Sequence, residues 1–400
     1  MSDILILGGG FAGVWSAMAA ARLRHQVGAD LTIALVTPND DLTIRPRLYQ
    51  ASPDTMRTAL DRVLEPVAVR RIAAEAIAVD TSTRTVTLSD RTGATQVVDY
   101  RRLVLATGSA LVRPTLPGAE HLFDVDTLRG AAALDAHLHR LASQPAGEGR
   151  FTVVVAGAGF TGLEVATELT ERLRTVAGPH SHQARVILVE RAAAVGPELG
   201  AGPRSVILDA LDRAGVDVRL NATLSAVTPT GAMLSDGSAI AAHTVIWTAG
   251  MAASPLTRQI TGRRDPLGRL LVDPQLRVPE SPDVFAAGDA AAADTGGGHL
   301  TMQSCQHAIP LGRVAGHNAV ADLVGHPAVP FTPEPYVTCL DLGPAGAVFT
   351  TGLDRRVQLT GAPAKDLKRS INERRIYPPV NDAAAIRHAG DPRRTWAEMA

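Results

Sequence analysis

The chain has 400 residues, 46% of them hydrophobic and 20% charged, with a formal net charge of −1. That length supports two or three domains, each with its own core, and a charge so near zero excludes the basic surface by which proteins hold nucleic acid. Cys305 and Cys339 are the only cysteines and form no CxxC, so neither a disulfide scaffold nor a metal site is expected.

In chain order, the first informative stretch is Asp3–Arg22, DILILGGGFAGVWSAMAAAR. Ile4–Leu7 is apolar without alternation, as in a parallel strand buried on both faces, and a helix follows from about Phe11. Between them Gly8, Gly10 and Gly13, with Phe11 and Ala12, give G-x-G-x-x-G. The first glycine suits the tight turn, the second the approach of a pyrophosphate and the third close helix–strand packing. The pyrophosphate then rests on free N–H groups at the positive end of the helix dipole. A single such turn also occurs in ordinary α/β proteins, but this chain repeats it. Phe151–Leu169 is again an apolar strand, then Gly157, Gly159 and Gly162 around Phe160 and Thr161, then a helix.

After the first helix, LTIALV at 31–36 is the second strand of the unit. An acid is expected at its end for a ribose; Thr37 stands there instead, still able to donate a hydrogen bond. In the loop 40–52, Arg45, Arg47 and Tyr49 either line a cofactor site or belong to a solvated basic loop. Residues 71–99 alternate as a β-meander, EAIAVD, RTVTLSD and TQVVDY. The meander leads into a buried strand, RLVLATGSA at 102–110, ending in Ala106-Thr107-Gly108, and LVRPTLPG is a crossover. The second unit's second strand, ARVILVE, ends in Glu190, which suits the ribose hydroxyls of NADH and repels a 2′-phosphate. Arg191 beside it keeps NADPH open. A helix at 202–214 follows, and TVIWTAG at 244–250 repeats RLVLATG, ending in Ala249-Gly250. SPDVFAAGD at 281–289 is a strand ending in Gly288-Asp289. A helix over 303–323, a β-hairpin region over 336–361 and a polar, arginine-bearing tail complete the chain.

This order of motifs resembles the two-dinucleotide-binding-domain FAD/NAD(P)-dependent pyridine nucleotide oxidoreductase superfamily, and within it the type II NADH dehydrogenase-like branch. The resemblance runs over roughly residues 1–325, through GGGFAG, ATG, GAGFTGLE, WTAG and AAGD. It implies an α/β fold of two Rossmann-like domains plus a small C-terminal α+β domain. Residues 1–118 and 253–328 then hold FAD, 119–252 form an inserted NAD(P)H domain, and 329–400 are the α+β part. It also implies that Gly288 and Asp289 contact the FAD ribityl and pyrophosphate. Backbone amides near Gln303 then face the flavin pyrimidine, where the helix dipole stabilises negative charge on the reduced ring. Glu164 is placed near the nicotinamide, with simple pairing to its helix dipole as the alternative.

Three departures shape the functional expectation. No redox cysteine occurs in residues 38–60, so electrons leave the flavin directly. The late helix carries Met302-Gln303-Ser304-Cys305-Gln306-His307 where the branch has an AQxAxQ-like quinone motif, so only Gln303 fits. His307 either donates to a quinone-type carbonyl or satisfies a local hydrogen bond. The tail from Lys365 is too polar for a membrane-docking helix, with Arg369, Arg374 and Arg375 as a solvated face, while Cys305 and Trp247 suit the core. No apolar run reaches the roughly 18–20 residues of a bilayer span and no charged leader precedes an apolar stretch, so a cytoplasmic protein without integral membrane insertion is expected. The expected activity is hydride transfer from NADH through FAD to a small, quinone-like acceptor. A reductase of a ferredoxin-type protein and a non-catalytic NADH-responsive flavoprotein are the alternatives, and a homodimer stays open.

Overall fold

Two parallel sheets organise the protein, and a computed structural model describes residues 2–395 of it. The first sheet runs in the order Arg277–Val278, Ser281–Ala286, Thr95–Leu105, Ser2–Leu7, Ile33–Val36, Arg70–Ile72. Along this path all neighbours are parallel except the Arg277–Val278 edge, and Thr85–Ser89 and Glu75–Asp80 extend the sheet antiparallel from Thr95–Leu105. Ile4 and Ile6 point into one hydrophobic cluster and Leu5 and Leu7 into another, which is why this strand is apolar without alternation. The second sheet, Val216–Arg219, Arg185–Val189, Thr152–Ala156, Thr244–Trp247, is parallel throughout.

Residues 281–286 pair with Thr95–Leu105, so a late segment completes the sheet begun at the N-terminus. The second sheet lies between these segments in sequence. Its two connections to the first, Ser109–Leu111 and Met251–Ala253, run antiparallel side by side. The architecture is thus α/β with two Rossmann-like units. Beyond residue 336 a three-stranded antiparallel sheet, Val337–Asp341, Ala347–Thr351 and Arg356–Thr360, carries the helix Gly361–Ser370.

Three expectations are corrected. TQVVDY and the RLVL of RLVLATGSA form one strand, Thr95–Leu105, while the Ser109 and Ala110 of that motif belong to another, Ser109–Leu111. The first half of Thr95–Leu105 pairs antiparallel with Thr85–Ser89 and its second half parallel with Ser2–Leu7, so the switch from alternating to apolar pattern marks a change of partner rather than a break. The hairpin region has a third strand. The late helix starts at Cys305, with Ser304 as its N-cap, so Gln303 precedes the helix. Residues 396–400 of the expected polar tail lie outside the described residues. Among the described residues no helix is long and apolar enough to cross a membrane.

The helices Phe11–Val27 and Cys305–Val324 cross almost backbone to backbone. A Cβ on Gly312 would lie 2.4 Å from Ala12 O, and one on Gly316 2.0 Å from Ser16 O. Ser16 Oγ donates to Ala12 O at 2.7 Å and to Gly312 O at 3.0 Å across the same crossing. This contact brings the N-terminal turn of the late helix beside the first glycine turn, where Gly288 also packs: a Cβ there would lie 2.7 Å from Ala12 Cβ.

Candidate functional site

One cavity of about 2150 Å³ is lined by both glycine turns, Gly288 and Asp289, the Met302–Gln306 segment and the C-terminal sheet. A site for a single drug-sized ligand measures about 300–1,000 Å³, so this one has room for two large ligands.

The three glycines of the first turn have different duties. Gly8 has φ +111°, and a Cβ on Gly13 would lie 1.8 Å from Gly8 O, so the fold itself requires both. A Cβ on Gly10 would meet nothing within 4 Å, since Gly10 faces the open cavity. The second turn matches at Gly157, with φ +107°, and at Gly162, whose Cβ would lie 1.8 Å from Gly157 O. It differs at Gly159, where a Cβ would lie 2.7 Å from Glu198 Oε1. Phe11, Ala12, Phe160 and Thr161 line the cavity beside their glycines.

A polar network spans the wall between the sheets. Arg45 pairs with Asp126 and donates to Ser109 Oγ at 3.1 Å, and Ser109 Oγ donates to Asp289 Oδ2 at 2.6 Å. Burial raises the Asp289 carboxyl above the ordinary range, opposed by Ser109 and Arg45. Thr37, Ala106, Thr107, Gly108, Ala249, Gly250 and Gly288 line the cavity around this network. Thr107 Oγ1 and Gln303 Nε2 are buried there with no hydrogen-bond partner. Orphaned polar atoms of this kind call for a polar ligand. Of the three loop candidates, Arg45 and Tyr49 line the cavity, while Arg47 donates to Tyr377 Oη at 2.8 Å away from it.

Glu190 and Arg191 both lie on the wall at the end of their strand. Ala158 N–H donates to Glu190 Oε2 at 2.7 Å and Ala192 N–H to its Oε1 at 2.8 Å, which fixes the carboxylate beside the second turn. Trp247, expected in the core, also lines the cavity, its Nε1–H donating to Val112 O at 2.9 Å.

Glu164 heads a buried cluster that the sequence did not disclose. It is 4% exposed, pairs with Lys368 Nζ at 2.7 Å and accepts from Asp341 N–H at 3.0 Å. Burial pushes its carboxyl up to about 7, against the pull of Lys368. Burial alone would depress Lys368, but attraction to Glu164 outweighs it and the ammonium is held above its ordinary range. Tyr49 Oη donates to Asp341 Oδ2 at 2.9 Å, and Lys365 Nζ reaches Asp341 Oδ1 at 2.5 Å. Two acids and two lysines therefore balance at the cavity edge, with the Lys368 ammonium 5.4 Å from the Phe160 ring centroid. Lys368 sits in the tail that was expected to be solvated. The available signal was Ala364, Leu367 and Ile371 at helical spacing around it. Arg369 and Arg374 are exposed, whereas Arg375 is half-buried and lines the cavity.

His307 is not on the cavity wall. Its ring is 5% exposed and stacks on Tyr336 with centroids 5.2 Å apart, and its Nδ1 accepts from Met302 N–H at 2.9 Å. Of its two readings the local hydrogen bond is the one present, and burial lowers its pKa to about 4. Gln303 does line the cavity. Cys305 is half-buried on the same wall, where burial pushes its thiol up to about 11, away from the reactive thiolate.

Comparison with known proteins agrees with this layout. The family described as pyridine nucleotide-disulphide oxidoreductase matches residues 2–312. An NADH dehydrogenase-like protein of Mycobacterium tuberculosis is 46% identical over 392 residues, covering 96% of each chain. A demethylphylloquinone reductase of Synechocystis is 30% identical over 381 residues, covering 92% of this chain and 90% of that one. Among solved structures, NDH2 of Plasmodium falciparum in complex with NADH shares the fold at a TM-score of 0.79 and 13% identity, covering 97% of this chain and 96% of the other.

Proposed function

Since the chain belongs to the pyridine nucleotide-disulphide oxidoreductase family, we propose that it is an FAD-dependent enzyme that takes hydride from NADH and delivers the electrons to a small, quinone-like acceptor. The observation that carries this reading is the pair of like-built glycine turns opening into one cavity large enough for both dinucleotides. The residues fit FAD on the first turn: Gly10 leaves room for a diphosphate, and the orphaned Thr107 Oγ1 and Gln303 Nε2 offer hydrogen bonds beyond it. When bound, FAD supplies the two-electron chemistry between nucleotide and acceptor.

The chain's own residues divide the remaining work. On this reading the parts up to residue 118 and over 253–328 would hold FAD, 119–252 would hold NADH, and the described residues from 329 to 395 would close the acceptor side. Thr37 would offer a hydrogen bond to the FAD ribose, and the Arg45–Ser109–Asp289 network would hold the ribityl and diphosphate end. Backbone N–H groups before Cys305 would serve the flavin pyrimidine. The fixed carboxylate of Glu190 receives the NADH ribose and repels a 2′-phosphate. Reducing a quinone needs two electrons and two protons, of which hydride brings both electrons and one proton. Glu164, with its carboxyl raised to about 7 and Lys368 beside it, holds the second proton at the cavity edge. The demethylphylloquinone reductase among the relatives supports the quinone class.

Anaerobic reduction of the purified protein by NADH, followed by mixing with a panel of acceptors, tests the reading. Multiple turnovers with quinones are expected. Reoxidation only by a ferredoxin-type protein would make the enzyme a redox-protein reductase, and a single reduction that stalls with every acceptor would make it a sensor.

A further inference from the structure

The second glycine turn carries a contact that the first does not. Phe160 N–H, at the start of the helix Phe160–Ala177, donates to Glu198 Oε1 at 2.8 Å. The helix has no other side-chain cap and no acid in its first turn. Its N–H groups and dipole favour an anion there, and the carboxylate of Glu198 stands where the motif seats a diphosphate. Glu198 reaches this place from a short segment bounded by Gly196 at φ +55° and Gly200 at φ +70°, two positions where the backbone can pivot with little steric cost.

A second feature of the same cavity points to an anion. Arg355, from the turn between the last two strands of the C-terminal sheet, is 5% exposed and lines the cavity. Its guanidinium lies 4.5 Å from the Tyr336 ring centroid and its Nη2 3.5 Å from Met302 Sδ, while Nη1 is buried without a partner. A Cβ on Gly200 would lie 4.0 Å from Arg355 Cγ, so this side chain borders the Glu198 segment directly. A buried guanidinium with an unused donor is satisfied by a carboxylate or a phosphate.

We propose that Glu198 is a resident carboxylate in the diphosphate seat of the NADH site, and that nucleotide displaces it toward Arg355. The inference rests on the second turn being the NADH seat. Its consequence is that Glu198 lowers nucleotide affinity while capping the helix in the nucleotide-free protein. Glu198 is exposed at the cavity mouth, so water competes for its contact and the displacement is easy to reverse.

Calorimetric titration of the FAD-loaded protein with ADP-ribose, which carries the diphosphate but no nicotinamide, tests this against adenosine, which carries no phosphate. Glu198→Ala and Glu198→Gln should each tighten ADP-ribose at least fivefold and leave adenosine within twofold. Glu198→Ala should also lower the melting temperature of the nucleotide-free protein by a few degrees, the signature of a lost cap. Arg355→Gln should weaken ADP-ribose in the wild-type background and do nothing once Glu198 is alanine. Unchanged or weaker ADP-ribose binding in both Glu198 variants overturns the proposal. An Arg355→Gln effect that persists beside Glu198→Ala overturns the landing place, because Arg355 then takes the diphosphate itself. ADP-ribose that binds none of these proteins overturns the NADH reading instead.

Discussion

Single atoms decide what each glycine of the first turn can tolerate. Gly10→Val should yield a folded but colourless protein, because the new side chain enters only the open space reserved for the flavin diphosphate. Gly13→Ala should fail to fold, since its Cβ would lie 1.8 Å from Gly8 O; flavin absorbance and circular dichroism separate the two outcomes. Glu190 is clamped by two backbone N–H groups and cannot swing away from a 2′-phosphate. NADPH should therefore reduce the flavin about 5- to 150-fold more slowly than NADH in stopped-flow traces, the equivalent of roughly 1–3 kcal/mol. Gln303 lines the cavity with an unpartnered amide nitrogen. Gln303→Ala should leave reduction by NADH within about threefold and slow quinone reoxidation about tenfold, one lost hydrogen bond of roughly 1.4 kcal/mol. That Gly10 and Glu190 lie beside the cavity, and Gly13 in the turn that borders it, was legible in the sequence because glycine turns and strand ends are local signals. His307 was not: which way a histidine faces depends on Met302 N–H and the Tyr336 ring, and no pattern of spacing encodes either.

Elements meet in two contacts of opposite character. Where the first and late helices cross, small residues allow backbone approach, so Gly316→Ala should cost at least about 1–3 kcal/mol of stability as the helices are forced apart. Urea unfolding would measure it, and flavin affinity should fall with it because Gly288 packs on Ala12 beside the crossing. Where the helix Gly361–Ser370 meets Glu164, the contact is a buried ion pair. Lys368→Met should destabilise by roughly 3–5 kcal/mol by leaving a carboxylate uncompensated, and the double variant Glu164→Gln/Lys368→Met should recover most of that loss. The carboxyl of Glu164 is raised from 4.5 to about 7 in the folded state, so its contribution is complete at acid pH and is lost as pH rises toward 7. Glu164→Gln should flatten that part of the stability–pH curve. It should also remove an apparent pKa near 7 from quinone reoxidation, measured by stopped flow. The apolar spacing of Ala364, Leu367 and Ile371 hints that this helix packs, but it does not show that Lys368 finds a carboxylate, since its partner comes from a different part of the chain. The strands were easier, although the third strand Arg356–Thr360 was missed and Thr95–Leu105 changes partner and burial along its length.

At the scale of the whole molecule, the repeated glycine motif revealed two α/β units, and the return of residues 281–289 suggested that one encloses the other in sequence. What local patterns could not disclose is how the C-terminal sheet and its helix close over both, since that docking depends on Lys368 and Asp341 meeting Glu164 of one unit and Tyr49 of the other. The paired connectors Ser109–Leu111 and Met251–Ala253 have a further consequence. Because they are hydrogen-bonded neighbours, the entropy lost in joining the two halves of the outer unit grows only logarithmically with the length of chain between them. Closure of the outer unit is therefore nearly indifferent to the length of what is spliced between those strands. The same adjacency brings the spliced segment's own ends together, but a segment exchanged there would have to keep Glu164 or leave the buried Lys368 without its partner.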